Sequence, residues 1–205
     1  MFKIAVLVSG GGTDLQSIID AIEKGYINKC SIDLVISNKD GVFAIDRANK
    51  HGIECHVVSK KEFGAKQSDK ILELLEEKNI DLVVLAGYLS ILEGDLLDKY
   101  SNRIINIHPS LIPAFCGPNM YGLKVHEAAI NKGVKYSGCT VHFVNNEVDG
   151  GAIIDQEIVP VLFEDDAEAL QKRILEKEHT LLPKVIKLIS ENKVNIIDGK
   201  VKIEE

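Results

Sequence analysis

The sequence predicts an α/β protein built on a mostly parallel sheet with helices on both faces. Two observations support this class. Short apolar runs of strand length alternate with helical patterns over the first half of the chain. Several of these runs are apolar at every position, as expected for strands that a parallel sheet buries on both faces. The length of 205 residues fits one domain, and we expect residues 1–205 to form it.

The predicted elements change in character after the first half of the chain. Strand candidates lie at 3–9, 32–37, 53–58, 81–87 and 103–108, with helices near 14–24, 41–50 and 66–78 between the first four. A loop rich in proline and glycine (109–122) then leads to a helix near 123–131 and to two longer strands, 138–145 and 152–161.

The C-terminal part of the sequence predicts a long helix and a short hairpin. The helix fits residues 165–190, although Pro183 should kink or interrupt it, because proline lacks the backbone N–H that a helix uses. The last segment, KVNIIDGKVKIEE, contains an Asp-Gly pair between two strand patterns and therefore predicts a hairpin with a tight turn.

The overall composition argues against several classes of protein. The formal net charge of −7 does not favour broad nucleic-acid binding. No apolar run reaches the roughly 18 residues that a membrane span needs. The apolar N-terminus is too short for the core of a signal peptide and predicts a first strand instead. Four cysteines without CxxC spacing indicate reduced thiols in a cytoplasmic protein.

A glycine-rich turn, SGGGTDLQ, joins the first strand candidate to the first helix. Backbone N–H groups at a helix start, helped by the helix dipole, can bind a phosphate. Thr13 and Gln16 have the spacing of a capping box. The dinucleotide pattern G-x-G-x-x-G fails, because Leu15 stands at its last glycine. A turn without a ligand is the alternative, and Asp14 would repel a phosphate unless it points away.

The stretch NIHPSLIP ends a buried strand candidate in two polar residues, Asn106 and His108. Residues two apart in a strand share a face, and open parallel sheets bind ligands at the carboxyl ends of their strands. An asparagine can donate to a developing oxyanion, and a histidine can transfer a proton near neutral pH. A strand-end cap, with both side chains bonded to loop backbone, is the alternative.

Two acidic residues are candidate partners for this pair. Asp149 in NEVDGG would stabilise a charged histidine if it lay beside one, although Asp-Gly is also the usual choice for a hairpin turn. Glu178 falls inside the apolar stripe of the long helix, where a carboxylate is costly without a partner. That partner could be a structural Arg or Lys, or a ligand amine.

Three further interpretations are weaker. His142 lies within a strand pattern, which favours a packed core histidine. His108, His142 and Asp149 could bind a metal, but they share no short ligand spacing, and we expect no metal. Cys116 could be a nucleophile, although a loop cysteine with no adjacent base is more often inert.

Six segments, in chain order, make the sequence resemble the phosphoribosylglycinamide formyltransferases, folate-dependent enzymes of purine synthesis. They are VLVSGGGTDLQSIID, VISNK, DLVVLAGYLSIL, RIINIHPSLIP, GCTVHFVNNEVDGG and EKEHTLLP. The Asn-His-Pro segment with a later Asp-Gly is common to formyltransferases, whereas the glycine loop and EKEH are typical of the glycinamide branch. The resemblance implies a Rossmann-like formyltransferase fold, with a C-terminal long helix and a short hairpin.

The resemblance also implies an activity and a set of site residues. The formyl group of 10-formyltetrahydrofolate, a cosubstrate, would pass to the amine of glycinamide ribonucleotide without a metal. His108 would be the proton donor, Asn106 would hold the transferred oxygen, and Asp149 would keep the histidine charged. Residues for the ribonucleotide would be Gly12, Thr13, Asp14 and Glu178, the last at its amine. Residues for the folate would be Lys66, Leu89, Ser90, Ile91, Leu92 and Asn106.

Related functions remain alternatives. Methionyl-tRNA formyltransferases carry a further RNA-binding domain for which this chain has no room, and formyltetrahydrofolate hydrolases usually begin with a regulatory domain. Amino-sugar formyltransferases and a nucleotide-binding sensor without turnover stay open. The expected partners are two small-molecule substrates, with no nucleic acid and no membrane, in a cytoplasmic monomer or weak homodimer.

Overall fold

A seven-stranded sheet forms the centre of the protein in the computed structural model, which describes residues 1–204. Its strands are β1 (Phe2–Val8), β2 (Cys30–Ser37), β3 (Cys55–Val57), β4 (Leu82–Leu85), β5 (Ile104–His108), β6 (Tyr136–Phe143) and β7 (Ile153–Pro160). Across the sheet they follow the order β3-β2-β1-β4-β5-β6-β7. The first five run parallel, and β6 is antiparallel to both of its neighbours. The predicted α/β class is confirmed.

Helices cover both faces of this sheet. They are α1 (Thr13–Glu23), α2 (Phe43–Lys50), α3 (Lys60–Phe63), α4 (Gln67–Glu77), α5 (Asp95–Lys99), α6 (Leu123–Lys132) and α7 (Ala167–Ser190). One face packs against α1, α2, α6 and α7, and the other against α4 and α5. Alternate residues of β1, such as Val6 and Leu7, enter opposite cores. This explains why β4, and β1 after Lys3, have no polar positions.

One local prediction needs correction, and two short helices were missed. The helix α7 continues through Pro183 to Ser190, so the predicted interruption does not occur. The missing hydrogen bond is tolerated because Pro183 and its neighbours Leu181 and Leu182 are buried against the core. The short helices α3 and α5 were not predicted, because four or five residues are too few to show a helical period.

The predicted hairpin is present as β8 (Val194–Ile197) and β9 (Lys200–Ile203). Asp198 and Gly199 join the two strands with φ of 49° and 74°, the positive values that a two-residue hairpin turn requires. Across residues 1–204, none of the helices combines the length and apolar character that a membrane crossing needs.

The strand order places the candidate functional segments together. Strands β1 and β4 are neighbours, but the chain leaves them towards opposite edges of the sheet, which opens a crevice at their carboxyl ends. The glycine-rich turn follows β1, and the segment 86–92 follows β4. The backbone N–H of Leu89 donates to Ser9 Oγ at 2.8 Å, which joins the two segments. The end of β5, with Asn106 and His108, lies next along the same edge.

Candidate active site

Asn106 and His108 project from the end of β5 on one face of the sheet, opposite His142 and Thr140 of β6. Asn106 Nδ2 lies 3.1 Å from His142 Nε2, and His142 Nδ1 lies 2.8 Å from the Phe143 carbonyl oxygen. Because Nδ1 must carry a proton to donate to that carbonyl, Nε2 is the acceptor for the Asn106 amide. Burial lowers the pKa of His142, which favours this neutral form.

His142 therefore belongs to the core and also to a polar cluster with Asn106 and His108. It is 2% exposed, as its strand pattern predicts, but its ring also orients the Asn106 amide. The sequence analysis missed this contact because it depends on the register between β5 and β6. The one available signal was a polar residue in each of two strand patterns that could be neighbours.

Both ring nitrogens of His108 face acceptors. Nε2 lies 3.0 Å from the Phe115 carbonyl oxygen, and Nδ1 lies 3.6 Å from Asp149 Oδ2. A neutral ring would turn a lone pair towards one of these oxygens, whereas the doubly protonated ring presents an N–H to each. His108 can therefore offer an N–H to an oxygen atom on either side of its ring.

Asp149 is held between two imidazoles by a strained turn. Its Oδ1 lies 3.7 Å from His142 Nε2, and its Oδ2 accepts a hydrogen bond from the Gly117 N–H at 2.8 Å. Asp149 has φ of 55°, a left-handed value that aspartate tolerates better than most residues. A Cβ on Gly151 would lie 1.8 Å from the Phe143 carbonyl oxygen, so the turn needs glycine there. Asp149 can thus be both a residue of the hairpin turn and a neighbour of His108.

The segment 109–122 closes over this cluster. Thr140 Oγ1 fixes its start, because it accepts from the Ile112 N–H at 3.1 Å and donates to the Ser110 carbonyl at 2.6 Å. The segment then supplies the Phe115 carbonyl to His108 and the Gly117 N–H to Asp149. Its conformation therefore controls access to both catalytic candidates.

Cys116 sits in the same segment with its Sγ 3.4 Å from the Pro113 carbonyl oxygen. Burial, and then the negative charge of Asp149, raise the pKa of this thiol. Since the thiolate is the reactive form, this environment does not favour Cys116 as a nucleophile. All four cysteines are free thiols.

The glycine-rich turn starts α1 without a side-chain cap. Gly12 is the N-cap residue, with φ of 70°, and the predicted capping box between Thr13 and Gln16 does not form. The Gln16 amide instead donates to Asp20 Oδ1 at 2.8 Å. The first-turn N–H groups have no partners within the helix, which leaves them available to an anion.

Asp14 and Glu178 form a buried acid pair beside this turn. Burial raises the pKa of Asp14 to about 6. Burial, and then the charge of Asp14, raise the pKa of Glu178, which is 7% exposed. Asp14 Oδ1 lies 3.7 Å from His179 Nε2, and neither atom has a hydrogen-bond partner. The Asp14 carboxyl thus turns towards α7, away from the open side of the glycine turn.

The alternative of a structural cation for Glu178 finds no support. Within residues 1–204, no Lys or Arg forms an ion pair with it. When ionised, Glu178 raises the pKa of Cys139, after the larger effect of burial, so the two side chains lie near each other. Cys139 alternates with Thr140 along β6 and so faces the side of the sheet away from His108. A ligand that meets both Glu178 and His108 has to cross the carboxyl edge of the sheet.

The segment after β4 offers an apolar surface next to the cluster. Leu89 and Ile91 are 52% and 69% exposed, whereas Leu92 is buried. Ser90 Oγ accepts from Asn38 Nδ2 at 2.8 Å, which ties this segment to the end of β2.

Lys66 is exposed in a 3₁₀ turn (Gly64–Lys66) just before α4. The nearby Ser68 Oγ accepts from the Glu93 N–H at 3.1 Å, which places the start of α4 beside the 89–92 segment. Among residues 1–204, no cluster of three or more His, Cys, Asp or Glu side chains is arranged to hold a metal ion.

Comparison with known proteins identifies the family of the chain. A family model described as formyl transferase matches residues 2–186. The chain belongs to this family. A phosphoribosylglycinamide formyltransferase of Haemophilus influenzae is 42% identical over 201 residues, which cover 97% of this chain and 92% of that relative. The family predicted from the six segments is therefore confirmed.

A solved formyl transferase structure agrees over the full chain. It is glycinamide ribonucleotide transformylase 1 from Symbiobacterium toebii, with a TM-score of 0.94 and 39% identity, and the match covers 100% of this chain and 95% of that one. The chain is also 41% identical over 95% of its length to the trifunctional purine biosynthetic protein adenosine-3 of Gallus gallus. It spans only 19% of that longer relative.

Proposed function

We propose that the protein transfers the formyl group of 10-formyltetrahydrofolate to the amine of N1-(5-phosphoribosyl)glycinamide. The products are the N-formyl ribonucleotide and tetrahydrofolate, in de novo purine (IMP) biosynthesis. The observation that carries the proposal is the cluster of Asn106, His108 and Asp149 at the same sheet edge as the glycine-rich start of α1. The names of relatives that align over nearly the whole chain support these substrates.

The cluster can perform each step of the transfer. The substrate amine attacks the formyl carbon, and negative charge develops on the formyl oxygen. The second N–H of Asn106 and the His108 imidazolium stabilise that charge. The new C–N bond forms in this addition, and the bond to folate N10 breaks when the oxyanion collapses to the carbonyl. The amine loses one proton and N10 gains one, and His108 with Asp149 relays them directly or through water.

The donor nitrogen of His108 is occupied before the reaction. Its Nε2–H is bonded to the Phe115 carbonyl, so that proton reaches a substrate only after the 109–122 segment shifts. The Asp149 carboxylate holds the other side of the ring during this exchange. We propose that substrate binding drives the shift.

The ribonucleotide binds across the carboxyl edge in this proposal. The backbone N–H groups of Gly12, Thr13 and Asp14 hold its phosphate. The resemblance implies that Glu178 meets the amine, but its position on the glycine-turn side of the sheet favours the ribose hydroxyls. A protonated carboxyl can both donate and accept, as a pair of hydroxyls requires.

The folate binds to the segment after β4, through the backbone of Leu89, Ser90, Ile91 and Leu92. The exposed side chains of Leu89 and Ile91 suit a flat ring system, and Lys66 would pair with a folate carboxylate. We propose that no metal takes part. We further propose one formyltransferase domain over residues 1–205, in a cytoplasmic monomer or weak homodimer.

An assay with both substrates tests the proposal. The purified protein is incubated with 10-formyltetrahydrofolate and glycinamide ribonucleotide, and tetrahydrofolate and the formylated ribonucleotide are both quantified. We expect the two products in equal amounts. Tetrahydrofolate formed without the ribonucleotide would identify a hydrolase, and formylation of an amino sugar alone would identify a different acceptor. Binding of both ligands without turnover would identify a sensor.

A further inference from the structure

The guanidinium of Arg47, on α2, is bonded to the outer side of the glycine-rich turn. Its Nε donates to the Gly11 carbonyl at 2.8 Å, and its Nη1 donates to Gln16 Oε1 at 3.3 Å. A hydrogen bond from a charged donor is stronger than one between neutral groups. Arg47 therefore connects α2 to both the turn and the first turns of α1.

Three successive carbonyls of the turn, those of Gly10, Gly11 and Gly12, each accept a hydrogen bond. The Gly10 carbonyl accepts from the Ala44 N–H at 3.1 Å, and the Gly12 carbonyl accepts from the Gln16 N–H at 3.0 Å. Arg47 supplies the partner for the Gly11 carbonyl between them. In a trans peptide the carbonyl and the following N–H point in opposite directions. Fixing the carbonyl of Gly11 outwards therefore turns the N–H of Gly12 towards the open side of the turn.

We infer that Arg47 is a positioning residue for phosphate binding, because it orients the Gly11–Gly12 peptide so that its N–H faces the anion. Successive N–H groups directed to one side form a concave anion site, and a carbonyl turned inwards would spoil it. The inference rests on the proposed phosphate role of the turn. Arg47 acts through the backbone of the turn and is not itself a catalytic residue.

The packing of α2 makes this arrangement specific. A Cβ on Gly12 would lie 2.6 Å from Ala44 Cβ and 3.5 Å from Arg47 Cδ, so the turn rests directly on this helix. Arg47, Thr13 and His179 also line one groove of about 560 Å³. The positive charge of Arg47 lowers the pKa of His179, after the larger effect of burial, so its field reaches across the groove to α7.

Replacement of Arg47 by methionine tests the inference, because it keeps the apolar stem and removes every N–H. We expect KM for glycinamide ribonucleotide to rise about tenfold to a hundredfold, the loss expected for one hydrogen bond to a charged group. KM for the folate and kcat should stay within about twofold. The KM of Arg47→Lys for the ribonucleotide should lie between those of the wild type and Arg47→Met, because one ammonium cannot reproduce the two hydrogen bonds of the guanidinium. Added guanidinium should partly restore Arg47→Met.

Lys50→Met is the matched control, since Lys50 lies in the last turn of the same helix and is exposed. It removes a positive charge, as Arg47→Met does, and should leave kcat and both KM values within about twofold of the wild type. Inorganic phosphate provides a readout that does not need turnover. It should raise the midpoint of thermal unfolding of the wild type and of Lys50→Met, and this effect should be lost in Arg47→Met.

Two results would overturn the inference. One is an unchanged KM for the ribonucleotide, together with retained phosphate protection, in folded Arg47→Met. The other is a lowered kcat together with similar rises of both KM values, which would indicate a general structural role. A wild-type protein that is protected by phosphate but does not formylate the ribonucleotide would contradict the proposed function instead. Loss of that protection in Arg47→Met would still support the inference.

Discussion

The His108 ring and the Asp149 carboxylate face each other with 3.6 Å between Nδ1 and Oδ2, and the side chains are 5% and 12% exposed. They come from different parts of the sheet, the end of β5 and the turn between β6 and β7. The Phe115 carbonyl occupies the other ring nitrogen. The site is thus arranged around a histidine ring that has an oxygen atom on each side.

Loss of the histidine should remove the proton transfer but not the binding of substrates. We expect His108→Ala to lower kcat by roughly 10²–10⁴-fold, the usual contribution of a general acid or base. Both KM values should change little in steady-state assays. His56→Ala is the control, because His56 pairs with Glu54 at the surface of β3. A kcat within tenfold of the wild type would remove His108 from the chemistry.

Asp149→Asn should leave the shape of the turn and remove its negative charge. Since the charge favours the imidazolium, we expect a smaller protonated fraction of His108 at pH 7 in the variant. Ring nitrogen shifts measured by NMR report this fraction directly. Glu147→Gln removes an exposed charge from the same turn and should have little effect. An equal or larger protonated fraction in Asp149→Asn would disprove the coupling, even if activity fell.

The buried pair of Asp14 and Glu178 should make the stability of the protein depend on pH. Native Glu178 and Asp14 hold their protons to higher pH than the unfolded chain does, so wild-type stability declines as pH rises through their raised pKa values. Glu178→Gln removes the part of this decline that comes from Glu178. We therefore expect the free energy of unfolding of the variant to increase, relative to that of the wild type, as the pH rises. Urea unfolding between pH 5 and about 8 measures it.

The same variant should keep KM for the ribonucleotide within about threefold, because the Gln amide both donates and accepts a hydrogen bond as the protonated acid does. Glu178→Leu, which can do neither, should raise that KM about tenfold. Glu176→Gln, an exposed position on α7, is the control for both measurements. A stability difference that stays constant or shrinks with pH would show that Glu178 is not held protonated by burial.

Gly12→Ala should displace the glycine-rich turn. The new Cβ would meet Ala44 Cβ at 2.6 Å, and φ is 70°. We expect a raised KM for the ribonucleotide with nearly intact folate binding. Gly52→Ala is matched in φ, at 68°, but its Cβ would meet nothing within 4 Å, so it separates backbone strain from displacement of the turn. Equal KM values for the two folded variants would argue against a phosphate role for the turn.

Much of the fold was predictable because its signals are local. Strand β4, and β1 after Lys3, are apolar since both of their faces are buried. The shared face of Asn106 and His108 follows from strand alternation. The helix α7 appears in the sequence through its apolar stripe, and Glu178 stands out within that stripe because a buried acid is costly.

The remaining contacts depend on distances in space that no local pattern contains. His142 joins Asn106 only through the register of β5 with β6. Arg47 has a backbone carbonyl as its partner, and a carbonyl leaves no mark in a sequence. The position of Asp149 beside His108 was implied by resemblance alone. The geometry behind it requires both the fold of the β6–β7 turn and the path of the 109–122 segment.

The Phe115 carbonyl on His108 has a consequence for how the formyl donor survives in water. In the proposed reaction, a folate bound without its acceptor would face a His108 ring whose Nε2 already lies 3.0 Å from that carbonyl, so a stray water molecule would receive little help in attacking the formyl carbon. The acid becomes free only when the segment is displaced. If the proposed function holds, the resting conformation would thereby favour transfer to the proper acceptor over wasteful hydrolysis of an energy-rich one-carbon carrier.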